Sequence, residues 1–283
     1  MGLVGRLKPL ASRARAGIKR LRARAFPETR APLAVLAIMK NEALNVDEWI
    51  AHYIWQGADH LFIIDNGSTD DTVARIQASP HRDRITLLNR PEPHRQGYHY
   101  RQTFRRERIR RRFQWLMVAD ADEFWFSAED ATLPAALKRF DGFDVIYARW
   151  SQFGCPGQEA HPASLRRALT LRHAALGPHK ATKWVVRTSA IGNNALFIHK
   201  IRGACSSRTI TDTDVLRVNH YMTQSRRFWR EVKMARGDAS TPSSDQSRTL
   251  AQFEEFNALS VVRDTTLADR VAASESSAAP AQA

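Results

Sequence analysis

Three carboxylates directly follow an apolar run in the segment WLMVADADEFWF. Residues Trp115 to Ala119 have the composition of a buried strand, and Asp120, Asp122 and Glu123 come next. Acids this close together at the end of a buried strand repel one another and are costly to desolvate. We therefore expect a positive charge to meet them there.

A divalent cation is one candidate for that charge. Asp120 and Asp122 are two residues apart, so in an extended segment their side chains project to the same side, whereas Glu123 points the other way. Two carboxylates held in this way suit Mg²⁺ or Mn²⁺ together with the phosphate oxygens of a substrate. Two structural interpretations stay open: Asp120 caps a helix, or the acids form salt bridges with the arginines of residues 101–112.

The positive charge of the chain is concentrated in two short segments. The formal net charge is +14 at pH 7; residues 1–30 hold nine Lys and Arg against one acid, and residues 101–112 hold seven Arg against one Glu. The rest of the chain is close to neutral, which argues against a uniformly basic nucleic-acid-binding surface. The two cysteines are too few for a disulfide framework and no apolar run has transmembrane length, so we expect a cytoplasmic protein.

The basic N-terminal leader, residues 1–30, has two open interpretations. Its apolar residues recur at near-helical spacing with Lys and Arg between them, as in a helix that lies on an anionic membrane. Pro9 and Gly17 interrupt that pattern, as expected of a solvated leader. A peripheral contact with the inner face of the membrane is therefore one expectation, and a leader without a partner is the other.

An alternation of strands and helices begins at Pro32. The pattern predicts strands at Leu33–Met39, His60–Ile64, Arg84–Asn89 and Trp115–Ala119, and helices at Asn41–Gly57, Asp71–Ala78 and Tyr98–Phe113. This order is typical of an α/β fold with a Rossmann-like, mostly parallel sheet and helices on both faces. Polar clusters follow three of the strands, at Lys40–Ala43, Asp65–Asp71 and Asp120–Glu123. Because ligands of such sheets bind at the carboxyl ends of the strands, we expect one shared site.

The second half of the chain has a less regular pattern. It predicts strands at Asp144–Trp150, Lys183–Thr188, Ala195–Lys200 and Val215–Tyr221, then a helix at Gln224–Gly237. We expect one domain over residues 31–240, including a smaller acceptor-side region. Residues 241–283 are expected to hold a C-terminal helix and, from about Ala272, a disordered tail of low complexity.

Arginines recur at helical spacing within the second basic segment. Arg101, Arg105, Arg108 and Arg112 would form one exposed stripe on a continuous helix. A solvated face is the common explanation of such a stripe, and binding of anionic lipid is the other. The aromatic residues within it, Phe104 and Phe113, look like core contacts, so no nucleic-acid partner is expected.

Three segments, in order, carry a family resemblance. They are MKNEALNVDEWIAHYIWQGADHLFIIDNGSTDDT (Met39–Thr72), QWLMVADADEF (Gln114–Phe124) and VNHYMTQSRRFWREVKMARG (Val218–Gly237). Together they resemble the inverting glycosyltransferases of family 2 type, which have the GT-A fold, in the branch with KNE…EW, DNGSTD and DADEF motifs. The resemblance implies metal-dependent transfer of a sugar, with inversion, from a nucleotide diphosphate sugar to a glycan or glycolipid acceptor in bacterial polysaccharide biosynthesis.

The resemblance also implies roles for individual residues. Those matching positions that bind the nucleotide sugar are Asn41, Glu42, Asp65, Asn66, Asp120, Lys183 and Lys233. Those matching metal ligands are Asp120, Asp122 and His220, and imidazole is compatible with Mn²⁺. Alternatives stay open: His220 could pack against Tyr221, and the lysines, Lys180 among them, could face solvent.

An inverting transfer needs a carboxylate that takes the proton from the acceptor hydroxyl. Our nominee is Glu159, in the segment WSQFGCPGQEAHP, which resembles an acceptor loop of the family; a surface glutamate is the structural alternative. The chain departs from the branch beyond Gly154 and at Arg226–Trp229, where acids are more usual. The acceptor is therefore not assigned.

Two other functions compete with this interpretation. A nucleotidyltransferase would also place acids on Mg²⁺, but it would need a glycine-rich, basic phosphate loop after the first strand, and IMKNEALN offers none. A basic membrane- or nucleic-acid-binding protein without catalysis would depend on its arginines and tolerate Asp120→Ala. A transferase would not tolerate that substitution.

Overall fold

The computed structural model describes residues 30–177, 182–192, 196–212, 214–236 and 248–278. The basic leader, apart from Arg30, and Lys180 lie outside these residues. The strands are β1 (Ala31–Met39), β2 (His60–Asp65), β3 (Ile85–Asn89), β4 (Phe113–Val118), β5 (Glu123–Ser127), β6 (Val145–Gly154), β7 (Leu171–His173), β8 (Thr182–Arg187), β9 (Thr209–Thr211), β10 (Leu216–His220) and β11 (Ser260–Arg263).

The helices share the two faces of the sheet and its edges. They are α1 (Val46–Trp55), α2 (Thr72–Ala78), α3 (Gln96–Arg106), α4 (Ile109–Arg112), α5 (Leu133–Leu137), α6 (Leu165–Ala168), α7 (Arg226–Phe228), α8 (Met234–Arg236), α9 (Leu250–Ala258) and α10 (Thr266–Ala278). A π-helical turn at Trp229–Lys233 joins α7 to α8. None of these helices is both long enough and apolar enough to cross a bilayer.

The central sheet is mostly parallel in its first half. Its order is β3-β2-β1-β4-β8-β6-β7-β11, in which β1 pairs in parallel with β2 and β4, and β8 runs antiparallel to both β4 and β6. Strand β1 is apolar throughout because both of its faces are covered: Val35 packs with Trp49 of α1 on one face, and Leu36 packs with Tyr100 of α3 on the other. The predicted α/β architecture, with helices on both faces, is confirmed.

The parallel register aligns the carboxyl ends of the strands. Met39 at the end of β1 lies opposite Asp65 at the end of β2, and Leu36 lies opposite Val118 at the end of β4. Asp120 therefore follows β4 at the edge of the sheet from which the loops after β1 and β2 also leave. The three polar clusters meet at one edge, as the sequence predicted.

Strand β10 connects the acidic segment to the second half of the chain. It runs antiparallel to β5, with His220 opposite Glu123, and parallel to β6, with His220 opposite Gln152. Strand β5, which was not predicted, follows the acids at once and buries Trp125 completely. Because β10 lies between β5 and β6, a histidine almost one hundred residues further along the chain reaches the acids.

The predicted helix at Tyr98–Phe113 is wrong as a single element. Helix α3 ends at Arg106, and Arg108 has a left-handed backbone with φ of 52° before the short helix α4 begins. A non-glycine residue in this conformation breaks the helical repeat. The four-arginine stripe is therefore not continuous.

Two further predictions are wrong. Leu196–Lys200 forms no strand; only an isolated bridge joins Leu196 to Ile201. The segment from Ala272 to Ala278 is not disordered but belongs to helix α10. Helix α10 is stabilised by Leu267 and Val271, which are buried in the core.

The C-terminal segment packs against the end of β6. A Cβ atom on Gly154 would lie 2.2 Å from Oγ of Ser260, so only glycine permits this close approach. Oδ1 of Asn257, in α9, accepts hydrogen bonds from the backbone N–H of Cys155 at 2.6 Å and from the hydroxyl of Thr223 at 3.2 Å. These contacts join α9 both to β6 and to the segment that leads into α7.

Candidate active site

Lys183 supplies positive charge to the acids that follow β4. Its Nζ lies 2.6 Å from Oδ2 of Asp120 and 3.3 Å from Oε2 of Glu123. The lysine is fully buried on β8; burial alone would lower its pKa, but the carboxylates of Asp120 and Glu123 raise the pKa of Lys183 above its ordinary value. Lys183 is therefore charged, and its solvent-facing alternative is wrong.

A second buried lysine neutralises Asp122. Nζ of Lys233, in the π-helical turn, lies 2.5 Å from Oδ2 of Asp122, and Nε2 of His220 lies 3.5 Å from Oδ1. Burial alone would raise the pKa of Asp122, but Lys233 and His220 hold it well below its usual range. The carboxylate is thus ionised although it is almost completely buried.

The ring of His220 is oriented from its other side. Nδ1 lies 2.8 Å from Oε1 of Gln152, and because an amide oxygen only accepts hydrogen bonds, Nδ1 carries the proton. The indole of Trp150 packs on the imidazole with ring centroids 4.4 Å apart. Nε2 is therefore directed at Asp122, and the alternative in which His220 only packs against Tyr221 is not observed.

The predicted orientation of Glu123 is wrong. The chain turns after Asp120, so that the N–H of Asp120 donates to Oε2 of Glu123 at 2.9 Å and Glu123 joins the acid cluster. The pKa of Glu123 is raised to about 8, chiefly by burial and also by the carboxylates of Asp120 and Asp122, against the opposing effect of Lys183. Glu123 therefore binds a proton far more readily than an ordinary glutamate.

Asn41 and Glu42 shape the loop after β1. Asn41 has a left-handed backbone with φ of 54°, and its Oδ1 accepts a hydrogen bond from the N–H of Thr69 at 2.8 Å. Glu42 is 3% exposed, and its Oε2 accepts a hydrogen bond from Nδ2 of Asn45 at 2.7 Å. The first of these contacts ties the loop after β1 to the loop after β2.

Asp65 and Asn66 shape the loop after β2. The carboxylate of Asp65 accepts hydrogen bonds from the N–H groups of Gly67 and Ser68 at 3.3 and 3.2 Å. Nδ2 of Asn66 donates to the carbonyl of Arg90 at 2.6 Å, which anchors the loop after β3. Asn41 and Asn66 thus connect neighbouring loops at the carboxyl edge of the sheet, and Glu42 and Asp65 accept hydrogen bonds within their own loops.

Asp122 and His220 bring a carboxylate oxygen and an imidazole nitrogen to within 3.5 Å of each other. An imidazole whose Nδ1–H is held by a neighbour, as by Gln152 here, presents Nε2 as a metal ligand. Divalent ions that bind phosphates commonly take only one or two protein ligands and complete their shell with phosphate oxygens and water. The arrangement of Asp122 and His220 is compatible with such a site.

Asp120 does not complete a metal site of three protein ligands. Within the described residues, no group of three or more His, Cys, Asp and Glu side chains is arranged to hold an ion. Oδ2 of Asp120 pairs with Lys183, whereas its Oδ1 is buried and accepts no hydrogen bond from any described residue. Its role as a metal ligand stays a prediction, and the free oxygen leaves it able to accept a hydrogen bond from a bound substrate.

Glu159 is not part of this cluster of contacts. Its side chain is 71% exposed, and Oε1 accepts a hydrogen bond from Nε of Arg226 at 2.7 Å. Its role as general base stays a prediction. In the second basic segment, Arg112 is exposed and packs over the rings of Phe62 and Phe113.

Sequence reasoning did not single out Gln152, Trp150 or His199 as site residues. Trp150 and Gln152 are two apart on β6 and so share a face, a period-two signal that was visible but not interpretable without the pairing of β6 with β10. His199 packs edge-on against Trp150 at 5.5 Å between ring centroids. No local sequence pattern marks His199, because it meets the site only through its contact with Trp150 in the folded protein.

Comparison with known proteins identifies the class of this fold and site. The sequence model of glycosyltransferase family 92 matches residues 35–265, and the chain belongs to this family. The glycosyltransferase predicted from the sequence is therefore confirmed, and with it the α/β fold of GT-A type that the sheet order displays. The family 2 assignment and the inverting mechanism stay predictions. Comparison with curated proteins gave no match.

Solved structures with a similar fold include two groups of enzymes. S. aureus TarS 1-349 is 12% identical, with a TM-score of 0.43 over 66% of this chain and 60% of that one. The same protein in complex with UDP is 13% identical, with a TM-score of 0.42 over 79% and 70% of the two chains. Glucosyl-3-phosphoglycerate synthase from Mycobacterium tuberculosis, with Mn²⁺ and UDP-glucose, is 14% identical, with a TM-score of 0.36 over 72% and 73%.

Proposed function

We propose that this protein transfers a sugar from a nucleoside diphosphate sugar to a glycan or glycolipid acceptor, with inversion at the anomeric carbon. The observation that carries the proposal is the cluster of Asp120, Asp122, Lys183, Lys233 and His220 at the carboxyl edge of a parallel sheet, in a chain of glycosyltransferase family 92. All of these side chains are buried except that of Asp120, which is 33% exposed. Buried acids and lysines are costly to maintain, and such clusters concentrate at functional sites.

The proposed donor site extends along the edge of the sheet. We propose that four residues in the loops after β1 and β2 contact the nucleoside: Asn41, Glu42, Asp65 and Asn66. Asp120 accepts a hydrogen bond from the donor through its unpaired Oδ1. Lys183 and Lys233, already charged within the cluster, lower the cost of bringing a diphosphate to it.

Asp122 and His220 are proposed to hold the divalent ion, Mn²⁺ or Mg²⁺. Such an ion, when bound, stabilises the negative charge on a departing diphosphate. Lys233 keeps Asp122 ionised, and Gln152 keeps a proton on Nδ1 of His220, so that both side chains remain competent ligands. Asp120 remains a proposed additional ligand.

The acceptor hydroxyl must lose its proton to a base on the face of the sugar opposite the diphosphate. We keep Glu159 as the proposed base, which would require Arg226 to release its carboxylate. Inversion predicts a product whose anomeric configuration is opposite to that of the donor, and NMR of the product tests this. We also propose that the protein is cytoplasmic and that its leader contacts an anionic membrane. A role in bacterial polysaccharide biosynthesis is a further proposal.

Ligand-dependent thermal unfolding tests donor binding. A nucleoside diphosphate at a hundred times its Kd should stabilise the protein by about 2.7 kcal/mol, and the shift should require Mn²⁺. Asp122→Asn should abolish the Mn²⁺ dependence, whereas Glu231→Gln, a matched change at an exposed acid in the π-helical turn that holds Lys233, should retain it. If no nucleoside diphosphate raises the Tm with Mn²⁺ or Mg²⁺, the proposed function is wrong.

A further inference from the structure

A cavity of about 350 Å³ lies between the start of α3 and residues 197–198. Its lining residues are His94, Arg95, Gly97, Tyr98, Arg101, Phe197 and Ile198, and none of these is acidic. The volume is within the range of small-molecule sites. One of the lining residues, Arg101, belongs to the second basic segment, residues 101–112.

The guanidinium groups of the cavity lack carboxylate partners. Neither Arg95 nor Arg101 forms an ion pair with any acid in the described part of the chain, in contrast to the lysines of the acid cluster. Arg101 lies 5.8 Å from the centroid of the Phe197 ring, and Arg202 packs over the same ring at 3.7 Å. The cavity therefore concentrates positive charge that no internal acid offsets.

The cavity adjoins the proposed site through two elements. On α3, Gln96 and Tyr100 are buried next to the lining residues, and the charges of Asp120 and Lys183 reach the Tyr100 hydroxyl. On the other side, Phe197 is two residues before His199, whose ring contacts Trp150 beside His220. The cavity and the acid cluster are therefore separated by few residues: Tyr100 on one side, and His199 and Trp150 on the other.

We infer that this cavity binds an anionic group, a phosphate or a carboxylate, of the sugar acceptor. The inference deepens the proposed function, because it assumes that a donor occupies the acid cluster. Arg95 and Arg101 would donate charge-assisted hydrogen bonds to the anion. Tyr98, which is 45% exposed, adds an aromatic face and a hydroxyl at the rim of the cavity.

Calorimetry on the full chain with defined probes tests the inference. Glucose 6-phosphate and glucuronate should bind the wild type and glucose should not. Arg101→Gln and Arg95→Gln should each weaken that binding about 10–100-fold, the range for a hydrogen bond to a charged group. Arg106→Gln is the matched control, because Arg106 is exposed on the same helix but does not line the cavity. It should change binding less than about twofold, since an exposed charge outside the site contributes little.

Two further measurements separate this site from the donor site and identify the source of the anion. The Kd for UDP should be unchanged in Arg101→Gln, and UDP should not displace glucose 6-phosphate. Arg101-dependent binding to phosphatidate vesicles but not to the soluble sugars would place the anion on a lipid acceptor and still support the inference. Equal binding of glucose and glucose 6-phosphate, equal loss in Arg106→Gln, or displacement by UDP would overturn it. Failure of UDP itself to bind would instead count against the proposed function.

Discussion

Lys233 neutralises a buried carboxylate, so its removal should destabilise the protein strongly at neutral pH. Lys233→Met keeps most of the aliphatic chain but removes the ammonium group that lies 2.5 Å from Oδ2 of Asp122. The exposed fractions of the two side chains are 6% and 8%, so water cannot replace the lost partner. A buried charge that has lost its partner typically lowers the free energy of unfolding by about 3–5 kcal/mol.

Protonation of Asp122 sets a ceiling on that cost. To protonate a carboxyl group at pH 7 costs about 1.36 kcal/mol for each pH unit between 7 and its ordinary pKa of 3.8. A folded protein with a protonated Asp122 is therefore destabilised by about 4 kcal/mol. We therefore expect Lys233→Met to lower the free energy of unfolding by about 3–4 kcal/mol at pH 7.

The loss should shrink as the pH falls. In the wild type the lowered pKa of Asp122 gives stability that is present above 3.8 and is lost as the pH falls through the folded-state pKa. In Lys233→Met the buried carboxyl has a raised pKa, so the variant loses stability as the pH rises above 3.8. The difference in the free energy of unfolding between the two proteins should therefore narrow from pH 7 to pH 4.5.

Urea unfolding at pH 7 and pH 4.5 measures both effects. Arg227→Met is the matched control, because its ion pair with Glu231 lies in the same helical segment with both side chains more than half exposed; it should cost about 0.5 kcal/mol or less. The double variant Asp122→Asn/Lys233→Met should recover most of the loss, since no unpaired charge remains. A loss below about 1 kcal/mol at pH 7, or one equal at both pH values, would refute the reasoning.

Two other predictions concern the support of the site. Gln152→Ala should weaken Mn²⁺ binding about 10–100-fold, measured by electron paramagnetic resonance of free Mn²⁺, because His220 loses the partner of Nδ1; an unchanged titration would mean that Gln152 does not orient the ring. Gly154→Ala should lower the free energy of unfolding by about 1–3 kcal/mol in urea, because its Cβ would clash with Ser260, whereas Gly142→Ala, with no atom within 4 Å of its Cβ, is the control. Equal effects of the two alanines would contradict the close packing at Gly154.

The first half of the fold was predictable because its signals are local. Strands β1, β2 and β4 are continuous apolar runs buried on both faces, and the polar residues after them mark their carboxyl ends. The break after α3 was not predictable, because the left-handed residue is Arg108 and not a glycine. The helical form of Ala272–Ala278 was missed since it depends on Leu267 and Val271, which precede the low-complexity stretch and find a core to pack against.

The candidate site was predictable in composition but not in pairing. The acids implied a positive partner, and Lys183 and Lys233 were both singled out. The sequence does not tell which lysine meets which acid, because Lys183 is 63 residues from Asp120 and Lys233 is 111 residues from Asp122. Glu123 was misplaced because a turn at Asp120 replaces the extended geometry that was assumed. Gln152 was missed since its role exists only through the pairing of β6 with β10.

The side chain of Asn257 makes the end of the chain part of the architecture around the acids. Its single carbonyl oxygen holds the N–H of Cys155, just past Gln152, and the hydroxyl of Thr223, just past His220. The two segments that follow the parallel strands β6 and β10 thus share one anchor outside the site. Removal of the chain from α9 onward would release both segments at once, and it would also remove β11 from the edge of the sheet.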